Sequence, residues 1–280
     1  MNTLVTGGSG YLGTHVRRFF EAEDYSRRSY LDVLNDYDLA RIDSYDAVIH
    51  LAAHLDKAPQ AAETCFRVNA EGTANVARHM RAGAVLIYAS TKDVYGSFAD
   101  GYTEVPESCS TEYAGQSALE WSKLIGERYV EYYAHANNLR SCIFRLSNTY
   151  ARASEDNQSG FITHYVESIK HGWPIRLPLD GTPVRDILHV DDFARACRAF
   201  IESDVEHGLY NLGGGRAHAA TLGQLIETIG KVVGREPVID QENRLPAPVP
   251  VNYVSDLTRV REELVWQPQI GIEEGIKTLL

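Results

Sequence analysis

The first residues in this chain able to do chemistry are three glycines. Gly7, Gly10 and Gly13 stand in TGGSGYLG, directly after the short apolar run Leu4 to Thr6 and at the head of an amphipathic stretch from Tyr11 to Phe20. Between a strand and a helix, glycines so spaced permit a tight turn, close approach of backbone to a pyrophosphate, and close passage of helix over strand. N–H groups at the helix start complete the anion site. The backbone of Gly7, Gly10, Tyr11, Leu12 and Gly13 is therefore expected to hold the phosphates of a dinucleotide.

A second position decides which dinucleotide. An acid about 20 residues beyond the loop would bind the adenosine 2′-hydroxyl, whereas an arginine there would meet a 2′-phosphate. Asp32, closing the step Tyr30-Leu31, is the candidate acid; Arg28, beside Arg27, is the candidate base. The reading leans to Asp32 and NAD and leaves NADP open.

These groups need a scaffold. Ala47 to Leu51, Ala84 to Ala89 and Ser141 to Leu146 read as buried strands, and Ala61 to Met80 and Glu120 to Ala136 as helices. Such a βαβα rhythm predicts an α/β fold, a parallel sheet with helices on both faces. After residue 150 the rhythm loosens. The Gly- and Pro-bearing stretch from Gly172 to Asp186 breaks regular structure. A helix from Asp192 to Ile201, a strand at Leu209 to Leu212, a helix from Leu222 to Val233 and the loop Arg244 to Pro250 follow. Long connections usually cover a site. Residues 1–150 are thus expected to form a cofactor domain and 151–280 a smaller, substrate-binding part, with the chain crossing between them.

Composition narrows the class. The 280 residues carry a formal charge of −11, with no block of like charge, which argues against a nucleic-acid or polybasic membrane surface. The cysteines, at 65, 109, 142 and 197, form no CxxC or metal-ligand spacing, so free thiols in a reducing compartment and no metal are expected. No apolar run approaches a membrane span and no basic-then-apolar leader precedes Thr3. The expectation is a cytoplasmic enzyme of small molecules.

Eight ordered segments carry a resemblance over nearly the whole chain: TGGSGYLG, HLAA (His50 to Ala53), VNAEGTANV (Val68 to Val76), YASTKDVYG (Tyr88 to Gly96), SKLIGE (Ser122 to Glu127), FRLSNTYA (Phe144 to Ala151), TPVRDILHVDD (Thr182 to Asp192) and YNLGGG (Tyr210 to Gly215). The chain resembles the extended short-chain dehydrogenase/reductases, in their nucleotide-sugar epimerase/dehydratase branch. The resemblance implies a Rossmann domain carrying NAD(P), a C-terminal domain gripping a nucleoside-diphosphate sugar, hydride exchange at a sugar carbon, and a homodimer formed through the two long helices. It places Leu51, Ala52 and Ala53 along the cofactor with Asn69 beside them, Asn148 at the sugar-phosphate, and Arg185 at the diphosphate, where a guanidinium pairs well with phosphate oxygens. Arg216 is a further diphosphate candidate.

At the catalytic centre the sequence departs from the family. There a tyrosine four residues before a lysine shares one helix face with it, and the ammonium lowers the phenol's pKa for proton transfer. Lys123 stands at the lysine position, where it would also hold the cofactor, and Thr91 at the hydroxyl position, but four residues before Lys123 stands Leu119. Lys92 and Asp93 follow Thr91 where dehydratases carry an Asp-Glu pair; Lys92 speaks against elimination, while Asp93 keeps a carboxylate. Tyr88 and Lys92 also read YxxxK but span a strand end, too far apart to pair. Tyr113, in the loop before the helix, is the first choice to replace the missing phenol, ahead of Tyr95, His54 and Asp56. The leading expectation is an epimerase or oxidoreductase with a relocated acid; a 4-ketoreductase, a lyase or non-redox epimerase, and a degenerate sugar-binding protein are the alternatives.

Overall fold

The computed structural model describes residues 1–153, 160–243 and 245–280; Arg244, at the head of the expected covering loop, lies outside the described residues. In chain order the elements are β1 (Thr3–Thr6), α1 (Gly13–Phe20), β2 (Glu23–Tyr25), α2 (Asp36–Leu39), β3 (Ala47–His50), α3 (Ala62–Cys65), α4 (Gly72–His79), β4 (Val85–Thr91), α5 (Ala118–Ala136) and β5 (Arg140–Leu146). Then come β6 (Asn148–Tyr150), α6 (Phe161–His171), β7 (Val184–His189), α7 (Val190–Glu202), β8 (His207–Leu212), β9 (Ala219–Thr221), α8 (Leu222–Val233), α9 (Thr258–Leu264) and α10 (Ile272–Lys277).

Six strands form one parallel sheet in the order β2-β1-β3-β4-β5-β8. Strand alternation divides its apolar residues between two faces. Ile49, Ile87 and Phe144 pack with Val16 of α1 and Phe193 and Phe200 of α7, while Val48, Leu86 and Ile143 pack with Val76 of α4 and Val130 of α5. Buried on both faces, these strands read as continuous apolar runs, the sequence mark of a covered parallel sheet. The second layer is smaller. Strand β7 pairs with β6 in parallel and with β9 antiparallel, and α6, α8 and α10 share a core of Ile162, Val166, Leu225, Ile226 and Ile276. Strand β8 brings the chain back to the edge of the first sheet, beside β5.

Three differences from the sequence reading bear on candidate site residues. Strand β2 was not foreseen, because its three residues, Glu-Asp-Tyr, show no apolar pattern. The expected helix from Ala61 to Met80 contains a π-helical turn, Phe66–Glu71, which carries Asn69. The stretch from Gly172 to Asp186 already holds the first residues of β7, which places Arg185 on a strand.

Candidate active site

Helix α1 begins at Gly13 with no side chain capping its first turn. A methyl group at Gly13 would overlap the Gly7 carbonyl, and a Cβ at Gly7, where φ is +69°, would lie 2.8 Å from the Ala52 nitrogen. The loop therefore presses against Leu51 and Ala52 just beyond β3, with Ala53 next in the chain, and Ala52 donates to Thr6 Oγ1 at 3.2 Å. This close approach of loop, helix and strand is what a pyrophosphate cradle requires, so the residues present fit a dinucleotide.

Asp32 is not where the reading put it. Strand β2 ends at Tyr25, well before Asp32, whose Oδ1 accepts from Leu34 N–H at 2.9 Å and so closes its own loop. The acid beside the glycine loop is Asp24. A Cβ on Gly8 would come within 2.6 Å of its Oδ1, Ser26 Oγ donates to Oδ2 at 2.9 Å, and Ser9 Oγ donates to Ser26 Oγ at 2.9 Å. Asp24 Oδ1 is buried and has no hydrogen-bond partner among the described residues. Arg27 and Arg28 form the turn that follows.

Helix α5 is anchored from below. Glu127 takes two hydrogen bonds from Arg145, at 2.7 and 3.0 Å, and a third from Ser90. Four residues earlier, Lys123 Nζ donates to the Ala89 carbonyl at 2.8 Å, at the end of β4. Burial brings this ammonium down to about 8. Tyr88 is fully buried with its ring 4.9 Å from Lys123 Nζ, and its hydroxyl donates to the Lys123 carbonyl. Its place is in the sheet, as expected. Asn69 spends its amide on structure: Oδ1 accepts from His54 N–H at 2.7 Å, and Nδ2 donates to the His54 carbonyl and to Ser122 Oγ, both at 2.9 Å. It locks the loop after β3 to α5.

Beyond the C-terminal end of β4 lies a cavity of about 420 Å³. Asn148 and Arg185 line it together with Lys57, Lys92, Asp93 and Glu120, and the segment from Pro246 to Val249 closes one side. Asn148 Oδ1 is buried without a hydrogen-bond partner among the described residues. Arg185 is buried; it donates to the carbonyls of Val184, Val251 and Pro250 at 2.7, 2.5 and 3.1 Å and thereby holds the covering segment. Burial lowers its pKa.

The floor is an ion network. Lys57 Nζ lies 3.0 Å from Asp93 Oδ2 and 2.7 Å from Glu120 Oε1, and Lys92 pairs with Asp93 Oδ1. Burial works against the charges of Lys92 and Asp93, yet the two ammonium groups hold the Asp93 carboxyl far below the usual carboxylate range. Burial likewise opposes the Lys57 charge, but Asp93 and Glu120 outweigh it and hold Lys57 up to about 12. Thr91 Oγ1 accepts from Asp93 N–H at 3.2 Å. Glu120 is fixed by a capping box, its Oε2 accepting from Ser117 N–H at 2.7 Å and Ser117 Oγ at 2.5 Å.

Of the expected groups, Thr91, Lys123, Tyr113 and Arg216 do not line this cavity. Tyr113 is 71% exposed and does not line it, because the loop turns inward through Gln116, whose amide bonds Val94 and Glu112 carbonyls. Arg216 is mostly exposed beside Glu104, 3.5 Å away. Tyr95 is engaged in the core by Asn211 and Arg145. Leu119 is buried against Ala61 and Cys65. The sequence reading missed Asp24, Lys57 and Glu120. Glu120 could have been read from the Ser-x-x-Glu capping pattern, but nothing local marks Lys57 or Asp24.

The family model described as NAD dependent epimerase/dehydratase matches residues 3–213. A UDP-glucuronate 4-epimerase of Thermodesulfobacterium geofontis is 27% identical over 98% of this chain and 93% of its own length. The UDP-glucose 4-epimerase of Thermotoga maritima, solved with UDP-glucose, superposes with a TM-score of 0.83 at 25% identity, covering 99% of this chain and 97% of that one. RMD from Pseudomonas aeruginosa, solved with NADPH, shares the fold with a TM-score of 0.82 at 23% identity, covering 100% and 98%.

Proposed function

Because the chain belongs to the NAD dependent epimerase/dehydratase family, we propose that it holds NAD(P) on its first glycine loop and a nucleoside-diphosphate sugar in the cavity beyond β4, and exchanges hydride at a sugar carbinol or ketone carbon. The nicotinamide, when bound, supplies or takes the hydride. Everything else is the work of this chain's residues. The N-terminus of α1 meets the pyrophosphate, Asp24 and Ser26 meet the adenosine ribose, and Lys123, fixed under β4, reaches the nicotinamide ribose. Asn148 and Arg185 orient the sugar nucleotide, and Thr91 polarises the sugar oxygen. Leu119 takes the place of the family's tyrosine, so the proton moves through another group. Dehydration is the weaker reading, since Lys92 is bound to Asp93 where elimination needs an acid. The family's dimer through the long helices is consistent with the exposed Tyr132 of α5.

The observation that carries this reading is one cavity lined both by Asn148 and Arg185 and by charged groups at the ends of β4 and α5. Calorimetry with UDP, dTDP and GDP, without dinucleotide, tests it. At least one should bind, and Asn148→Ala should weaken it by about 1 kcal/mol, the scale of one hydrogen bond, with dinucleotide affinity unchanged. Failure of all three to bind would overturn the sugar-nucleotide assignment. The described residues contain no helix long and apolar enough to cross a membrane.

A further inference from the structure

The cavity must supply a proton donor, and its charged groups can be taken one by one. Asp93 is clamped between Lys92 and Lys57 and stays an anion; it has no proton to give. Glu120 uses Oε2 on Ser117 and Oε1 on Lys57, and both of its oxygens act as acceptors. Lys92 is buried, bound to Asp93, and 5.1 Å from the centre of the Tyr253 ring. Arg185 turns its donors to backbone carbonyls and, as a guanidinium, does not release a proton. Lys57 remains. Its side chain is about half exposed, with 54% of its surface open. Two of its three ammonium protons meet Asp93 and Glu120, leaving a third for a ligand.

Its location is equally telling. Asp93 lies two residues beyond Thr91, and Glu120 is next to Leu119, so Lys57 joins the two segments to which proton transfer is assigned. We infer that the Lys57 ammonium is the proton donor to the sugar oxygen in place of a phenol at position 119, and that the site is built to reduce the ketone of a nucleotide-linked keto-sugar. The inference rests on the reading of the cavity given above.

The balance is simple. With a dihydronicotinamide bound, hydride would reach the carbonyl carbon and the C=O π pair would move to oxygen. That oxygen takes a proton from Lys57 Nζ, whose N–H pair stays on nitrogen. Solvent then reprotonates the amine through its open side. The reverse step needs Lys57 neutral, and an ammonium held between two carboxylates rarely is. A site with this donor therefore favours reduction over the alternating oxidation and reduction of an epimerase.

The test uses the full chain, NADH or NADPH, and UDP- and dTDP-linked 4-keto-6-deoxyhexoses. For Lys57→Ala, kcat should fall about 100-fold or more, while KM and the affinity for bare UDP or dTDP, measured without dinucleotide, stay the same. Added ethylamine should restore turnover saturably and tetramethylammonium should not. A second variant guards against misfolding: Lys57→Cys treated with 2-bromoethylamine rebuilds an ammonium side chain, and the four native cysteines are buried. Restored turnover there supports the inference. Full activity of Lys57→Ala, or a loss that neither amines nor alkylation repairs although the nucleotide still binds, would overturn it and leave the sugar-nucleotide reading standing. If wild-type protein bound no nucleotide and reduced no keto-sugar, both would fall.

Discussion

Lys57 Nζ lies 2.7 Å from Glu120 Oε1, one residue past Leu119, and ties the loop after β3 to the first turn of α5. The same carboxylate caps the helix through Ser117, so one side chain sets both the start of α5 and the position of an ammonium in the cavity. Glu120→Gln keeps a capping acceptor but loses the charge that holds Lys57. We expect thermal unfolding to shift by the equivalent of about 1 kcal/mol or less, with a larger loss in turnover. Equal turnover in the two proteins would show that the ion pair serves the helix alone.

The glycine loop makes a graded prediction. A methyl group at Gly13 overlaps the Gly7 carbonyl, whereas one at Gly10 stands 3.0 Å from the same oxygen. Gly13→Ala should destabilise the fold by about 1 to 3 kcal/mol, as overpacking does, and abolish dinucleotide binding. Gly10→Ala should be milder in both respects. Denaturant unfolding with calorimetry reads the order, and a reversed order would contradict the loop geometry.

Cofactor choice should follow Asp24. Its buried Oδ1 has no partner among the described residues and faces the glycine loop beside Ser26. A carboxylate there accepts from a 2′-hydroxyl and repels a 2′-phosphate. Asp24→Ala should weaken NAD(H) and improve NADP(H), narrowing their affinity ratio, while Asp32→Ala should leave the ratio alone. A ratio that responds to Asp32 and ignores Asp24 would restore the original assignment.

That exchange of Asp24 for Asp32 shows where sequence reasoning reached its limit. Strands β1, β3, β4 and β5 were legible because burial on both faces leaves unbroken apolar runs, and Gly7, Gly10 and Gly13 were legible because backbone proximity admits no side chain. Strand β2 is three residues at the sheet edge with two acids, so no hydrophobic period announced it, and the acid on it was passed over. Lys57 and Tyr113 mark the same limit in the site. Which loop residue turns into a cavity depends on long-range partners, here Asp93 and Glu120 for Lys57 and the Gln116 amide for the loop that leaves Tyr113 outside.

Acid stability should report His50. The ring is fully buried under β1 and α4, bonded to Thr6 Oγ1 at 2.6 Å and Thr73 Oγ1 at 2.9 Å. Burial takes it from its ordinary 6.5 down to about 3. Between these values the unfolded chain binds a proton that the folded chain refuses, so stability falls as pH drops from about 6.5 toward 3. The loss from this group alone should be roughly 2 to 3 kcal/mol by about pH 4.5. Unfolding of His50→Gln followed against pH should show a shallower acid limb than wild type; parallel limbs would mean that His50 accepts a proton in the fold.

Hydride exchange is the central claim, and isotope transfer tests it most directly. The protein is incubated with NADH or NADPH carrying deuterium at either face of C4 and with the UDP- and dTDP-linked 4-keto-6-deoxyhexoses, and the sugar is then examined by mass spectrometry. The account predicts a product sugar one mass unit heavier than that made with unlabelled cofactor, the label coming from one face only and lying on the carbon that was the ketone. A sugar product free of deuterium from both faces, or sugar conversion that proceeds with no dinucleotide bound, would contradict it.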